Sequence, residues 1–216
     1  MSLVDPLIIP CGGKSSRMGD IKGLLPYQGR PWLLYQMEQF SKVGGKSIIV
    51  VLGFHQEQFF SAVPWLSLAR NRTHSYQGLD VCCLINPQPE RGSFSSLQCG
   101  AEFLATGAFF LPVDVPVPKA SVWKTLFDAT TKGVDVVIPR WNQKNGHPVW
   151  LSEHFLKILR KLPADHPNSR LDFQIGALSA ERQKIVEVDD KQILMNLNTA
   201  EDFLSFHRNQ NNADKS

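Results

Sequence analysis

The chain has 216 residues, enough for one large domain or two small ones and for a core that needs no metal or disulfide staple. Hydrophobic residues make up 43% and charged residues 20%, which excludes disordered and collagen-like classes. Lys and Arg number 23 against 20 Asp and Glu, and a formal charge of +3 is too small a surplus to argue for nucleic acid as a partner.

The opening residues, MSLVDPLIIP, lack a basic segment, and Asp5 and Pro6 interrupt their apolar run, so they do not read as a signal peptide. Residues 7–9 form an apolar strand that runs straight into a glycine-containing loop, PCGGKSSRMG. Pro31 can open a helix whose face carries Leu33, Leu34, Met37 and Phe40, and Gly44-Gly45 stops it. A buried strand follows at 47–52, a helix at 55–62 that ends near Pro64, and a third strand at 79–85. That strand contains the adjacent Cys82-Cys83, read as core. The four cysteines, with Cys11 and Cys99, include no CxxC, so a zinc ribbon has no support and a reducing cytoplasm is expected. A helix at 95–104 puts Leu97, Ala101 and Leu104 on one face. A fourth strand covers 108–113, a helix 122–129 and a fifth strand 134–138. The short run 149–151 pairs elsewhere. Helices at 155–162 and 171–178, a late strand at 185–188 and a helix at 199–206 complete the pattern, and the polar residues 209–216 read as a flexible tail.

No apolar stretch approaches the ~20 residues of a membrane span. Alternation of helices with near-continuous apolar strands predicts a single three-layer α/β/α domain over 1–208, built on a Rossmann-like, mostly parallel but mixed sheet. Ligands of such sheets bind at the carboxyl ends of the strands, at a switch point. That places the first loop, the loop after Val113 and the loop near Arg91 on one rim.

The first loop and its continuation, PCGGKSSRMGDIK at 10–22, carries the strongest local signal. Glycines allow backbone N–H groups to approach a phosphate, and Lys14, Arg17 and Lys22 can neutralise its charge. Gly13-Lys14-Ser15 imitates the end of a Walker A loop, but position 8 is Ile where that motif needs Gly. The GxGxxG spacing of dinucleotide binders is also missing, which argues against a nicotinamide-dependent oxidoreductase.

The loop resembles the signature of the MobA-like nucleotidyltransferases, the molybdenum cofactor guanylyl- and cytidylyltransferases. Gly12, Gly13, Ser15, Arg17, Met18, Gly19 and Lys22 match, followed by GLLPYQGRPWL, while Pro10 and Cys11 stand where the family has Leu-Ala. NPQPERGSFSSLQCG at 86–100 is similar to the family's second block. LPVDVP at 111–116 resembles its metal-binding block, with Val113 in place of Gly or Cys. Gly146-His147-Pro148 matches its GHP, and NLNTAED at 196–202 resembles its closing block. The resemblance thus covers nearly the whole chain, and it implies a fold of the nucleotide-diphospho-sugar transferase type.

It also implies a reaction: an acceptor phosphate attacks the α-phosphate of an NTP, and pyrophosphate leaves. The acceptor is already anionic, so positioning and charge stabilisation dominate and no general base is needed. By the resemblance, Lys22 contacts the α-phosphate and Arg17 the leaving phosphates, while Lys14 is read as exposed. Cys11, Gly12, Gly13 and Ser15 line the nucleotide. Asp114 at the end of a strand is the candidate Mg²⁺ ligand, since Mg²⁺ takes one or two carboxylates together with phosphate oxygens. Asn198 is the second candidate, or else the cap of the last helix. Ser95 and Ser96 hold polar ligand groups or simply cap their helix, and Asn86 touches base or ribose. His147 orients the acceptor or is structural. Trp141 is a candidate to stack on a flat, pterin-like acceptor.

The expected ligands are therefore an NTP, Mg²⁺ and a phosphorylated small molecule of the molybdopterin type, with neither nucleic acid nor membrane. GTP and CTP remain open, because different blocks lean towards different branches and the stretch 164–170 lacks the glycine of the cytidylyl branch. A sugar or polyol phosphate acceptor, and a nucleotide-binding accessory protein without turnover, are the alternatives. Which molybdoenzyme or chaperone is served stays open.

Overall fold

The computed structural model describes residues 5–14, 21–163 and 168–213, with side chains as far as 208. In chain order its elements are β1 (Leu7–Cys11), β2 (Pro26–Tyr27), β3 (Arg30–Pro31), α1 (Trp32–Lys42), β4 (Ser47–Leu52), α2 (Gln56–Ala62), β5 (Thr73–Tyr76), β6 (Leu79–Ile85) and α3 (Gly92–Glu102). There follow β7 (Ala108–Phe110), α4 (Ala120–Asp128), β8 (Val136–Trp141), β9 (Lys144–Asn145), β10 (Val149–Leu151), α5 (Glu153–Arg160), α6 (Leu171–Gly176), β11 (Gln183–Glu187) and α7 (Ala200–Ala213).

The main sheet runs β11-β8-β10-β7-β1-β4-β6-β5, with β9 on β8. β1 is flanked by β4 and β7, both parallel to it, and β6 continues in parallel beyond β4. β10, the run too short to place from sequence, lies antiparallel between β7 and β8. The sheet is therefore mixed, as expected. The chain moves outward from β1 through β4 to β6, then crosses back to β7 on the other side. The carboxyl ends of β1 and β7 thus flank a switch point, where open α/β sheets bind ligands.

The central strands β1, β4, β6, β7 and β10 are largely apolar because both of their faces are covered, and their period-2 alternation sorts residues between two cores. Ile9, Val50, Cys83 and Phe109 pack with Trp32, Met37 and Phe40 of α1 and Trp123 of α4. Ile8, Val51, Cys82 and Phe110 pack with Leu97 of α3 and Phe155 and Leu159 of α5. The adjacent cysteines are core residues on opposite faces. Burial pushes the Cys83 thiol up to about 12, with Cys82 adding repulsion and Arg70 opposing, so it stays protonated.

Sequence periodicity missed the edge strand β5. Its THSY reads as polar, and it is covered by Trp65, which stacks on Tyr76 with ring centroids 3.9 Å apart. α7 continues to Ala213, so 209–213 are helical where a flexible tail was expected from 209. No helix among the described residues is long and apolar enough to cross a membrane.

Candidate functional site

A cavity of about 310 Å³ opens at the carboxyl ends of β1 and β7. Cys11, Gly12, Gly13 and Lys14 line one side, Lys22 and Gly23 another, Ser93 and Ser96 the α3 side, and Val113, Asp114 and Asn198 the far edge. The loop after β1 can lie close to β4 because both carry glycine at the contact. A Cβ on Gly53 would stand 2.6 Å from the Gly12 carbonyl oxygen and 2.8 Å from its Cα. A Cβ on Gly12 would reach to 3.1 Å from Ser96 Oγ, so glycine keeps that wall open. His55 Nε2 meets the Lys14 carbonyl at 3.0 Å, and the exposed Lys14 ammonium sits 4.9 Å above the Phe54 ring.

Three distant segments converge at the cavity edge. Lys22 Nζ donates to Asp114 Oδ2 at 2.9 Å and to Asn198 Oδ1 at 2.7 Å. Lys22 starts a short 3₁₀ turn (Lys22–Leu24) whose Gly23 lies against Phe59: a Cβ there would be 2.8 Å from the ring. Asp114 follows β7 in a segment held by its backbone. Trp32 Nε1 donates to the Val113 carbonyl at 2.6 Å, the Leu197 amide to the Asp114 carbonyl at 2.8 Å, and Gln36 Nε2 to the Val115 carbonyl at 2.6 Å. Gln36 Oε1 also accepts from the Val117 amide at 2.9 Å.

Gln36 is wholly buried, and a buried amide with both ends bonded fixes geometry that hydrocarbon could not. Its role was missed from sequence. The available signal was a polar residue on the same helical stripe as Leu33, Met37 and Phe40.

Asn198 does not cap α7. Thr199 does, its Oγ1 accepting from the Asp202 amide at 3.1 Å while Asp202 Oδ2 accepts from the Thr199 amide at 2.9 Å and the Asn198 amide at 3.1 Å. This reciprocal cap leaves the Asn198 side chain to face Lys22. Phe203 and Phe206 anchor the helix beyond it by packing edge-on against Trp32.

The other candidates separate. Ser96 lines the cavity, whereas Asn86 and Ser95 lie behind it. The Asn86 amide donates to Ser95 Oγ at 2.8 Å and Ser96 Oγ at 3.1 Å, and its carbonyl accepts from the Gln88 amide at 2.9 Å. Ser95 Oγ in turn donates to the Gln88 and Gly92 carbonyls, at 3.1 and 2.8 Å, so neither serine caps α3. The buried Cys11 thiol lies at the cavity floor. Burial first, then repulsion from Cys83 and Asp114, pushes it well above the ordinary thiol range and keeps it un-ionised.

Trp141 packs at the edge of the α1-side core and lines neither this cavity nor its neighbour, while His147 lines the neighbour. Ser15 and Arg17 lie outside the described residues, as do 164–167.

Among the described residues there is no group of three or more His, Cys, Asp or Glu placed to hold a metal. The donor set that does exist is a carboxylate and an amide carbonyl, both hard oxygens and both already turned toward one cation, Lys22 Nζ. That set suits Mg²⁺ only as part of a shell completed by phosphate oxygens and water.

The family described as the MobA-like NTP transferase domain matches residues 7–178. A 50-residue stretch is 46% identical to the molybdenum cofactor guanylyltransferase of Xanthomonas euvesicatoria pv. vesicatoria (strain 85-10). The stretch is 23% of this chain and 26% of that protein, so the match spans about a quarter of the relative's length. Among solved structures, Rv0371c from Mycobacterium tuberculosis H37Rv superposes with a TM-score of 0.72 at 20% identity, over 94% of this chain and 98% of that one. Molybdopterin-guanine dinucleotide biosynthesis protein A from Archaeoglobus fulgidus does so with a TM-score of 0.69 at 15% identity, over 96% and 99%. At such identities the likeness shows the shared fold.

Proposed function

This chain belongs to the MobA-like NTP transferase family, and on that premise we propose that it transfers a nucleoside monophosphate from GTP or CTP to the terminal phosphate of molybdopterin. The segment resembling a guanylyltransferase favours GTP. The observation that carries the reading is the meeting of Lys22, Asp114 and Asn198 beside a glycine-walled cavity at the switch point.

In the proposed reaction an oxygen of the acceptor phosphate forms a bond to the α-phosphorus, the bond from that phosphorus to the β-bridging oxygen breaks, and pyrophosphate leaves with the electron pair. The acceptor phosphate is already ionised, so no side chain has to remove a proton. The protein must bring two anions together and offset the growing charge. Lys22, held over the cavity by Asp114 and Asn198, is the cation placed to do so. Gly12 and Gly13 let phosphates approach the backbone: among the described residues, nothing stands within 4 Å of a Cβ built on Gly13. Asp114 and Asn198 would hold Mg²⁺, which when bound supplies further neutralisation of the phosphates. The buried Gln36 and Trp32 keep Asp114 aimed.

The test is pyrophosphate release with molybdopterin as acceptor and each of GTP, CTP, ATP and UTP with Mg²⁺, alongside calorimetric binding of the same nucleotides to wild type, Lys22→Ala and Asp114→Ala. One nucleotide is expected to bind selectively and to lose affinity in both variants. A wild-type protein that binds no NTP would sink the proposal.

A further inference from the structure

The two oxygens suited to Mg²⁺, Asp114 Oδ2 and Asn198 Oδ1, both accept from Lys22 Nζ, at 2.9 and 2.7 Å. The ammonium therefore stands between them, where a divalent ion ligated by both would stand. The two cations exclude each other from that position.

Backbone contacts hold both oxygens in place whichever cation lies between them. The Leu197 amide donates to the Asp114 carbonyl at 2.8 Å, and Trp32 Nε1 to the Val113 carbonyl at 2.6 Å. Asp202 Oδ2 accepts from the Asn198 and Thr199 amides at 3.1 and 2.9 Å, so this carboxylate is turned to the helix start. Among the described residues no group of three His, Cys, Asp or Glu side chains is placed to hold a metal. A divalent ion arriving alone would meet one carboxylate, already neutralised, with the charge of Lys22 beside it. The Lys22 and Asp114 side chains are 20% and 23% exposed. Phosphate can reach such an ammonium, and the pair is sheltered enough for its charges to count, unlike a fully solvated one. Lys22 carries its charge on a flexible four-carbon stem and lines the same cavity as Gly12 and Gly13. A triphosphate in that cavity offers it several anionic oxygens in place of one carboxylate.

We propose that Lys22 is a resident stand-in for the metal: in the free protein it fills the cation position between Asp114 and Asn198, and it yields both oxygens to a divalent ion when a nucleoside triphosphate draws its ammonium onto the phosphates. This rests on the nucleotidyl-transfer reading and adds to it the order in which nucleotide and cation enter. One side chain then acts with opposite signs on the two ligands. Lys22 strengthens nucleotide binding and weakens binding of the metal alone, and through its movement each ligand raises the other's affinity.

The probe is Mn²⁺, which suits the same oxygen donors as Mg²⁺ and is counted as free ion by its electron paramagnetic resonance. Each titration uses the full chain without nucleotide. Wild type is expected to bind Mn²⁺ weakly. Lys22→Met keeps the length of the stem and removes the charge, and it should bind Mn²⁺ about tenfold more tightly or better. Lys22→Gln should move the same way, and adding Asp114→Ala to Lys22→Met should abolish the gain, which locates it at these oxygens. In EDTA, Lys22→Met should bind the α,β-methylene analogue of GTP or CTP more weakly than wild type. In wild-type protein labelled with ¹⁵N-lysine, the Lys22 Nζ resonance should stay in place with Mg²⁺ alone and shift when the analogue is added, which decides the matter if the variants fail to fold. Equal Mn²⁺ affinity in wild type and a folded Lys22→Met, a gain that survives Asp114→Ala, or a Lys22 resonance unmoved by bound analogue would overturn the proposal. Absence of NTP binding by wild type would instead remove the reading beneath it, whatever the Mn²⁺ titrations give.

Discussion

Replacing Gln36 with Leu tests whether a buried amide places Asp114. Leu is close in volume and suits the apolar stripe, so little cavity is created. What disappears is the bond to the Val115 carbonyl at 2.6 Å and the bond from the Val117 amide at 2.9 Å. Both backbone groups would be left inside the protein without partners, at about 1–3 kcal/mol each. Burying hydrocarbon in place of the amide returns about 1 kcal/mol. The net loss is then roughly 1–5 kcal/mol, against the ~5–15 kcal/mol that holds a typical domain together. At this chain length it corresponds to a melting temperature lower by roughly 2–20 °C. Trp32 and Leu197 still hold the Val113 and Asp114 carbonyls, so the variant should fold at low temperature with the Asp114 segment loosened on one side. Turnover per folded molecule should fall by about 10- to 100-fold, because small misplacements of a charge-stabilising group are costly. Thermal denaturation and pyrophosphate release below the transition measure the two effects. A variant melting within 2 °C of wild type refutes the orphaned-backbone argument, and a destabilised variant with unchanged turnover refutes the positioning of Asp114.

Lys22→Ala and Asp114→Ala should each lower kcat/KM for pyrophosphate release by about 100-fold or more. Lys22→Arg should not restore the rate, since a planar guanidinium cannot replace a compact ammonium between Asp114 and Asn198. Gly53→Ala forces a methyl to 2.6 Å from the Gly12 oxygen; overpacking should cost about 1–3 kcal/mol in urea unfolding and weaken NTP binding in calorimetry by displacing the first loop. Asp135 is buried, which alone would raise its pKa, but hydrogen bonds from Ser152, Arg182 and His154 outweigh burial and hold it below the usual carboxylate range. A depressed folded-state pKa stabilises above the unfolded value, and that contribution is lost as pH falls through the folded one. Asp135→Asn should therefore cost about 1–3 kcal/mol at pH 7, and its deficit against wild type in denaturant titrations should shrink below about pH 4.

Much of the site's outline was legible because the patterns that mark it are local. A continuous apolar run such as SIIVVL reads as a doubly covered strand without knowledge of its neighbours, and Ile49, Val50 and Val51 do alternate between the two cores. The glycines and cations at 10–22, Asp114 at a strand end and the NLNT turn are short stretches whose residue types limit what they can do, and together they marked the family. Other features were not legible. Polar side chains do not announce their partners: Asn86 and Ser95 satisfy each other behind the cavity, Ser96 faces into it, and Asn198 leaves the cap to Thr199.

The sequence by itself determined the alternation of elements, the two-sided burial of the strands and the inventory of groups available at the rim, because each follows from spacings of a few residues. Only the tertiary structure decided that β10 enters antiparallel between β7 and β8 and that His147 stands in a second cavity beside the first. It alone brings Lys22 within hydrogen-bonding reach of groups 92 and 176 positions further along the chain. Strand order and side-chain convergence depend on which surfaces pack best once all of them are present. That is a property of the whole fold, carried by no single stretch of residues.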